Sequence, residues 1–186
     1  TNVIKLTAKL AGLDMSKPVN EPARAIPPAM MADVEEMVGQ YMKMGILEHD
    51  FGPWNTQSIF ILKKDGTKRW CQDLRPVNQL IHTITYPQGT VIQAVSTAAG
   101  HRVYTTVDAL SAFHQIEAAE CIRPALAFTI GNVKYRWTRH PFGLSTGVQL
   151  FTHCFQLALG DLKTAEGYNK YLGGVVSWVD DVTLYS

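Results

Sequence analysis

Two adjacent carboxylates, Asp180 and Asp181, stand between two apolar runs, Gly174-Val175-Val176-Ser177-Trp178 before them and Val182-Thr183-Leu184-Tyr185 after. Both flanks are rich in β-branched and aromatic residues, so they read as strands, with the Asp-Asp junction as the tight turn of a hairpin. Like charges this close repel, and a bound cation relieves the repulsion. A second β-branched run, Val103-Tyr104-Thr105-Thr106-Val107, ends in Asp108. If its strand joins the same sheet, Asp108 faces the Asp180-Asp181 turn and completes a cluster of three carboxylates. That all-oxygen environment suits a hard cation such as Mg²⁺, which keeps some of its waters and takes further ligands from phosphates. Two such ions roughly 3.5–4 Å apart clamp an in-line displacement at phosphorus. An isolated Asp-Asp is an ordinary polar turn; the third carboxylate is what gives the pair a chemical reading.

Other residues fit phosphate chemistry. Residues 58–63 and 68–72 flank Lys64-Asp65-Gly66-Thr67, and Asp-Gly inside a short polar link signals a hairpin. Its tip carries Lys63, Lys64, Lys68 and Arg69 and can reach over a nucleotide. Lysine supplies a mobile point charge, whereas a guanidinium bonds phosphate and stacks on a base. A basic surface turn without function has the same composition. After Asp108, Leu110-Ser111-Ala112-Phe113 must turn sharply, and its small residues let backbone N–H groups approach phosphate oxygens. In Asp73-Leu74-Arg75-Pro76-Val77-Asn78 the charges of Asp73 and Arg75 suit a local ion pair, and Asn78 suits the bracing of a turn.

Taken together, these motifs resemble, in order from about Pro27 to Ser186, the fingers and palm of a reverse transcriptase of the retrovirus and long-terminal-repeat retrotransposon (gypsy-like) group. Trp178-Val179-Asp180-Asp181 is similar to the family's aromatic-x-Asp-Asp motif, in which Tyr is the commoner first residue. Residues 107–116 resemble the motif of the first catalytic aspartate. Pro141-Phe142-Gly143-Leu144-Ser145 resembles the loop opening the template-contacting helix. Gly52-Pro53-Trp54-Asn55-Thr56 and Gln72-Asp73-Leu74-Arg75-Pro76-Val77-Asn78 resemble the fingers signatures. Phe142, where many retroviral members carry Gln, leans toward retrotransposons, while Gln72-Asp73-Leu74-Arg75 has a retroviral look.

The resemblance implies RNA-directed DNA polymerase activity, a two-metal, template-directed deoxynucleotidyl transfer. Asp108, Asp180 and Asp181 would be the catalytic carboxylates and would hold two Mg²⁺ ions, with Mn²⁺ as a substitute. Lys64 and Arg69 would bind the incoming triphosphate, together with Ser111, Ala112, Phe113 and Phe142. Phe113 takes the position that presses on the nucleotide sugar and excludes a 2′-hydroxyl. Arg75, Asn78 and Gly143 would lie against the template. The implied partners are an RNA or DNA template with its primer and deoxynucleoside triphosphates. The chain ends five residues after Asp181, so the thumb, the primer grip and any RNase H domain are expected to be missing, or supplied by a polyprotein. A competing expectation is a truncated or domesticated remnant acting as a non-catalytic scaffold or as a subunit of a larger assembly. An RNA-dependent RNA polymerase also uses Asp-Asp on a hairpin, but Phe113 and the fingers signatures argue against it.

The elements that must position these residues are legible in outline. The expected fold class is α+β: an antiparallel palm sheet backed by helices, with a fingers subdomain and no thumb. Residues 1–26 read as an N-terminal arm, 27–100 as fingers with the first palm elements, and 101–186 as palm, truncated after the Asp-Asp hairpin. Pro27-Pro28 opens a helix to about Met44, ended by Gly45. Val34, Met37, Val38, Tyr41 and Met42 make its apolar stripe. A short helix covers residues 90–99. A hairpin joins residues 125–130 to 133–138 through Gly131-Asn132, with Val133, Tyr135 and Trp137 on its buried face. His114, Gln115 and Ile116 are expected to begin a departing strand. Ser145 or Thr146 is expected to cap a helix whose stripe is Val148, Phe151, Thr152, Phe155, Ala158 and Leu159. Residues 160–170 read as an irregular surface link.

At 186 residues with 46% hydrophobic content the chain can bury a sizeable core, and its composition is that of a soluble globular protein. No apolar run approaches the ~18 residues of a membrane span, so no membrane role is expected. Cys71, Cys121 and Cys154 lack metal-site or disulfide-frame spacing and read as buried thiols in an intracellular, reducing compartment such as cytoplasm, nucleus or virus-like particle. The net charge of +1 hides an asymmetry. Residues 61–75 carry an excess of lysine and arginine, whereas residues 141–186 carry an excess of carboxylates. A basic strip and an acidic metal site suit a polymerase.

Overall fold

A computed structural model describes residues 12–62, 68–82, 90–109, 111–163, 174–178 and 181–186. In chain order the elements are α1 (Pro28–Lys43), β1 (Leu47–His49), β2 (Gln57–Leu62), β3 (Lys68–Asp73), α2 (Arg75–Asn78), α3 (Val91–Ala98) and β4 (Tyr104–Asp108). They continue with β5 (Ala127–Ile130), β6 (Val133–Trp137), α4 (Gly147–Lys163), β7 (Gly174–Trp178) and β8 (Asp181–Tyr185). Every strand pair within the three sheets is antiparallel, so the chain mixes helices with antiparallel sheets. It divides into two compact units that interleave in sequence: Thr1–Ile84 with Phe113–Gly147, and Thr85–Ala112 with Val148–Ser186.

In the first unit, the sheet β1-β6-β5 and the hairpin β2-β3 form one aromatic core. The expected helix is present as α1, with Val34 and Val38 of the predicted stripe fully buried, and Gly45 follows its end with a positive φ. Trp70 on β3 lies 5.2 Å from Trp137, 5.1 Å from Phe128 and 5.9 Å from Tyr41, measured between ring centroids. Rings that meet edge to face and tilted add attraction beyond the area they bury. Residues ahead of α1 run extended: Asn20 bridges Asn55, and the Asn55 N–H donates to the Val19 carbonyl at 2.8 Å.

Three expectations in this unit need correction. Of the predicted buried face of β6, only Trp137 is fully buried, Tyr135 is half-buried and Val133 is exposed, while charge pairs line the other face. Arg136 bonds Glu48 at 2.8 Å and Asp50 at 3.3 Å, and Arg123 joins Glu48 at 3.3 Å. The preceding strand starts at Ala127 because Arg123–Leu126 form a 3-10 turn. No strand departs at His114: Ala112–Gln115 form another 3-10 turn, wound by the same hydrogen-bonded geometry that closes on Phe113.

In the second unit the sheet order is β4-β8-β7, with α3 packed along β7. A reciprocal capping box starts α3: the Thr90 hydroxyl accepts from the Gln93 N–H, and the Gln93 side chain accepts from the Thr90 N–H. Thr146 does not cap α4, since its hydroxyl is buried without a hydrogen-bond partner among the described residues. Phe151 and Thr152 of the α4 stripe are buried. Residues 160–163, expected to be irregular, continue α4 to Lys163. The cysteines are free as expected but not buried: Cys121 is exposed, and Cys71 and Cys154 are half-buried. No helix among the described residues is long and apolar enough to cross a membrane.

Candidate active site

Asp108 is the last residue of β4 and Asp181 the first of β8, and the register pairs them directly across the two strands. Opposite residues on neighbouring strands project from the same face with Cβ atoms ~4.5–5.5 Å apart. Both carboxylates are exposed at this end of the sheet. On its other side Asp181 pairs with Trp178, which leaves residues 179 and 180 as the link between β7 and β8. The predicted hairpin is therefore present, with Asp181 opening its second strand. Asp180 itself lies outside the described residues. Among the described residues no group of three or more His, Cys, Asp or Glu side chains is arranged to hold a metal ion. The two carboxylates that are described form an oxygen-only donor pair of like charge, which fits a hard divalent cation and is unfavourable without one.

Ser111 has φ 48°, the left-handed region that a residue with a Cβ rarely adopts. The sharp turn expected after Asp108 is thus real, and its strain costs about 1 kcal/mol or more. Ala112 is buried at the start of the 3-10 turn.

Within the first unit the structure joins motifs that are far apart in sequence. Asn78 in α2 donates its side-chain amide to the Gly143 carbonyl at 2.8 Å, and its Oδ1 accepts the Ser145 N–H at 2.9 Å. It braces a loop, as its sequence context suggested, and the loop is the distant 141–145 segment. Gly143 has φ 97°, and a Cβ there would lie 3.3 Å from the Gln72 carbonyl oxygen, so backbone conformation and close approach both call for glycine. Gln72 is buried, donating to the Thr56 hydroxyl at 2.7 Å and the Gln57 carbonyl at 3.0 Å while accepting from the Ser58 hydroxyl at 3.0 Å. Arg75 forms the expected pair with Asp73, bidentate at 2.8 and 2.6 Å. That pair holds the Asp73 carboxyl below its ordinary range, chiefly through the hydrogen bond from Arg75. The Arg75 side chain remains mostly exposed.

Phe113 and Phe142 meet edge to face, 5.2 Å apart at 89°. Phe142 is 38% exposed and Phe113 is half-buried. Arg69 stands in β3 opposite Ile61, and Lys64 lies outside the described residues. So the structure brings together Asp108 with Asp181, Phe113 with Phe142, and Asn78 with Gly143.

Two kinds of residue escaped the sequence reading. Gln72 was noticed only as part of a motif, although its place between Trp70 and Leu74 on the buried alternation of β3 is a signal for a polar group inside. His140 was not singled out, and His114 was noticed only as the start of a strand. Both are buried, and burial pushes each down to about 4, so both rings are neutral at neutral pH.

One unit thus carries the antiparallel carboxylate pair and the strained turn that follows Asp108, and the other carries the braced 141–145 loop. The sequence pattern of the reverse transcriptase (RNA-dependent DNA polymerase) family matches residues 61–186, more than half of the chain, and the chain belongs to that family. Among curated proteins it is similar to the transposon Tf2-3 and Tf2-7 polyproteins of Schizosaccharomyces pombe, at 26% and 25% identity over 193 aligned residues. The match covers 100% of this chain and 14% of each polyprotein. Among solved structures it resembles the native protease-reverse transcriptase of prototype foamy virus, with a TM-score of 0.77 and 26% identity over 100% of this chain and 23% of that one. A foamy viral protease-reverse transcriptase in complex with an RNA/DNA hybrid gives a TM-score of 0.80 at 20% identity, again over 100% and 23%.

Proposed function

We propose that this chain is the part of a longer reverse transcriptase that carries the nucleotidyl-transfer site, using an RNA or DNA template, its primer and deoxynucleoside triphosphates. The observation that carries the reading is the cross-strand pairing of Asp108 with Asp181 at the mouth of a hairpin whose link contains Asp180. In this reading residues 104–112 and 174–186 belong to a palm, and β2-β3 with its basic tip belongs to fingers. Asp108, Asp180 and Asp181 would hold divalent cations, Mg²⁺ or Mn²⁺. When bound, such ions supply Lewis-acid charge that lowers the pKa of a hydroxyl and neutralises phosphate oxygens.

The remaining steps belong to the chain's own residues. Lys64 and Arg69 hold the triphosphate as the primer 3′-oxygen bonds to the α-phosphorus and pyrophosphate leaves, a role of positioning and charge neutralisation. Backbone N–H groups at Ser111 and Ala112 face the phosphates, and Phe113 with Phe142 forms the surface against the sugar. Arg75, its charge offset by Asp73, meets the template through guanidinium N–H groups, while Asn78 keeps Gly143 in place. Pairing with Asp73 occupies Nε and Nη2 of Arg75 and leaves the Nη1 edge for a phosphate. The free cysteines favour a reducing compartment.

Primer extension with the full-length natural protein on matched RNA and DNA templates tests this reading. Mg²⁺-dependent deoxynucleotide incorporation should vanish in Asp108→Asn and Asp180→Asn proteins that remain folded. Incorporation retained in either variant removes the carboxylate assignment. No incorporation from a folded wild-type protein returns the chain to a non-catalytic scaffold.

A further inference from the structure

Five rings of the first unit form a chain of contacts from His140 through Phe113, Phe142 and His114 to Trp137. Phe113 lies against His140 at 5.7 Å and 32°, and edge to face against Phe142 at 5.2 Å. Phe142 in turn lies against His114 at 5.2 Å and 74°, and His114 stacks on Trp137 of the core at 5.3 Å and 22°. The two phenylalanines are the members of the chain with exposed surface, 38% for Phe142, while His114 and His140 are 8% and 1% exposed. His140 is therefore the floor under Phe113, and His114 ties Phe142 to the tryptophan core.

The way the floor is seated is specific. Neither ring nitrogen of His140 has a hydrogen-bond partner among the described residues, nor does Nε2 of His114. The rings act through their faces. Gly147 closes the other side: a Cβ there would stand 2.5 Å from Cε1 of His140, so no residue with a side chain fits without moving the imidazole. A buried ring in this position is held chiefly by packing, and packed interiors resist displacement on the scale of a single methylene. Flat support from below restricts the tilt of Phe113, whereas a branched or flexible side chain would let it rock.

We infer that His140 is a positioning residue for nucleotide-sugar selection, fixing the tilt of Phe113 through ring contact and thereby setting how strongly a 2′-hydroxyl is rejected. This rests on the reading of Phe113 as the sugar-facing ring. His140 touches neither nucleotide nor template; it acts through Phe113. A ring tilt shifts the clash with one oxygen and leaves the phosphates and carboxylates alone, so selection changes more than the rate with the preferred nucleotide.

The test uses the full-length natural protein with His140→Leu, which nearly keeps the volume but removes the flat face, and His140→Phe, which restores one. His140→Met, whose flexible side chain adapts to an irregular site, serves if the leucine variant does not fold; near-ultraviolet circular dichroism monitors folding. The readout is the ratio of kcat/KM for a deoxynucleotide to that for the matching ribonucleotide. His140→Leu should lower the ratio roughly three- to tenfold, the range of one lost aromatic contact. It should keep kcat for the deoxynucleotide within about twofold, and His140→Phe should recover the ratio. Phe113→Ala, with and without His140→Leu, separates the two levels of the argument. A Phe113→Ala protein that loses selection while folded His140→Leu keeps it overturns the inference alone. If Phe113→Ala itself leaves the ratio unchanged, the sugar-facing assignment falls and the inference falls with it. A leucine effect that persists undiminished in the Phe113→Ala background also overturns the inference, because the effect would not pass through Phe113.

Discussion

Replacing Asp108 by asparagine should make the protein more stable without divalent cation and less able to gain stability from one. Asp108 and Asp181 are opposite partners on β4 and β8, and both are exposed. At the ~5 Å spacing of opposite Cβ atoms, two unit charges repel by roughly 1 kcal/mol in water, and opposite pairs in sheets are worth about 0.2–1 kcal/mol. Asp108→Asn keeps the shape of the side chain and removes one charge, so the variant should gain about 0.5 kcal/mol in EDTA. Mg²⁺ changes the order. A site occupied at ten times its dissociation constant stabilises the fold by about 1.4 kcal/mol, and the variant, lacking one carboxylate, should receive much less. Urea unfolding followed by circular dichroism, in EDTA and across a Mg²⁺ titration, measures both quantities. The reasoning is refuted if the variant is the less stable protein in EDTA, or if Mg²⁺ stabilises the two proteins equally.

Other perturbations probe the scaffold of the site. Asn78→Ala removes the two hydrogen bonds that hold the 141–145 loop and should cost about 1–2 kcal/mol in urea unfolding, since each such bond is worth ~1 kcal/mol; an unchanged midpoint would show that the loop does not need the clamp. Gly143→Ala, at φ 97° and 3.3 Å from the Gln72 carbonyl, should lose about 1–2 kcal/mol from backbone conformation, and thermal unfolding would register it. Stability should also fall on acidification. Burial pushes His114 and His140 down to about 4, below the ordinary ~6.5, so the unfolded chain binds more protons between those values and stability rises with pH across that window. Each histidine contributes about 3 kcal/mol in full, lost progressively as pH falls from about 6.5 to 4. Stability measured from pH 7.5 to 4.5 should therefore fall less steeply in His140→Phe than in the wild type, and parallel profiles would show that His140 does not titrate in this way.

Local pattern was enough for much of this protein. The β-branched run ending at Asp108, the apolar flanks of Asp180-Asp181 and the Asp-Gly link between two short runs each specify a strand end or hairpin from neighbouring residues alone, and β4, β7-β8 and β2-β3 follow them. The helix from Pro28, with Gly45 past its end, was equally local. The order of the motifs also carried the family. What the sequence left open were the features made by distant residues. Whether residues 114–116 extend or coil depended on how the Ala112–Gln115 turn packs, and the start of β5 depended on the 3-10 turn at Arg123–Leu126. The ion pairs of β6 were out of reach as well, since Arg136 meets Glu48 and Asp50 more than eighty residues away.

The site divides along the same line. Residue type alone marks Asp108 and Asp181 as carboxylates able to bind a hard cation, because charge and donor chemistry belong to the side chain. Only the register of β4 on β8 makes them direct opposites, since a slip of one residue would turn Asp108 to the other face of the sheet. In the same way Asn78 is legible as a brace, but the loop it holds lies 65 residues on at Gly143. The histidines show the limit most plainly: an imidazole can be a ligand, a base or a neutral packing plate, and the enclosure of His140 by Phe113 and Gly147 is what decides for the last.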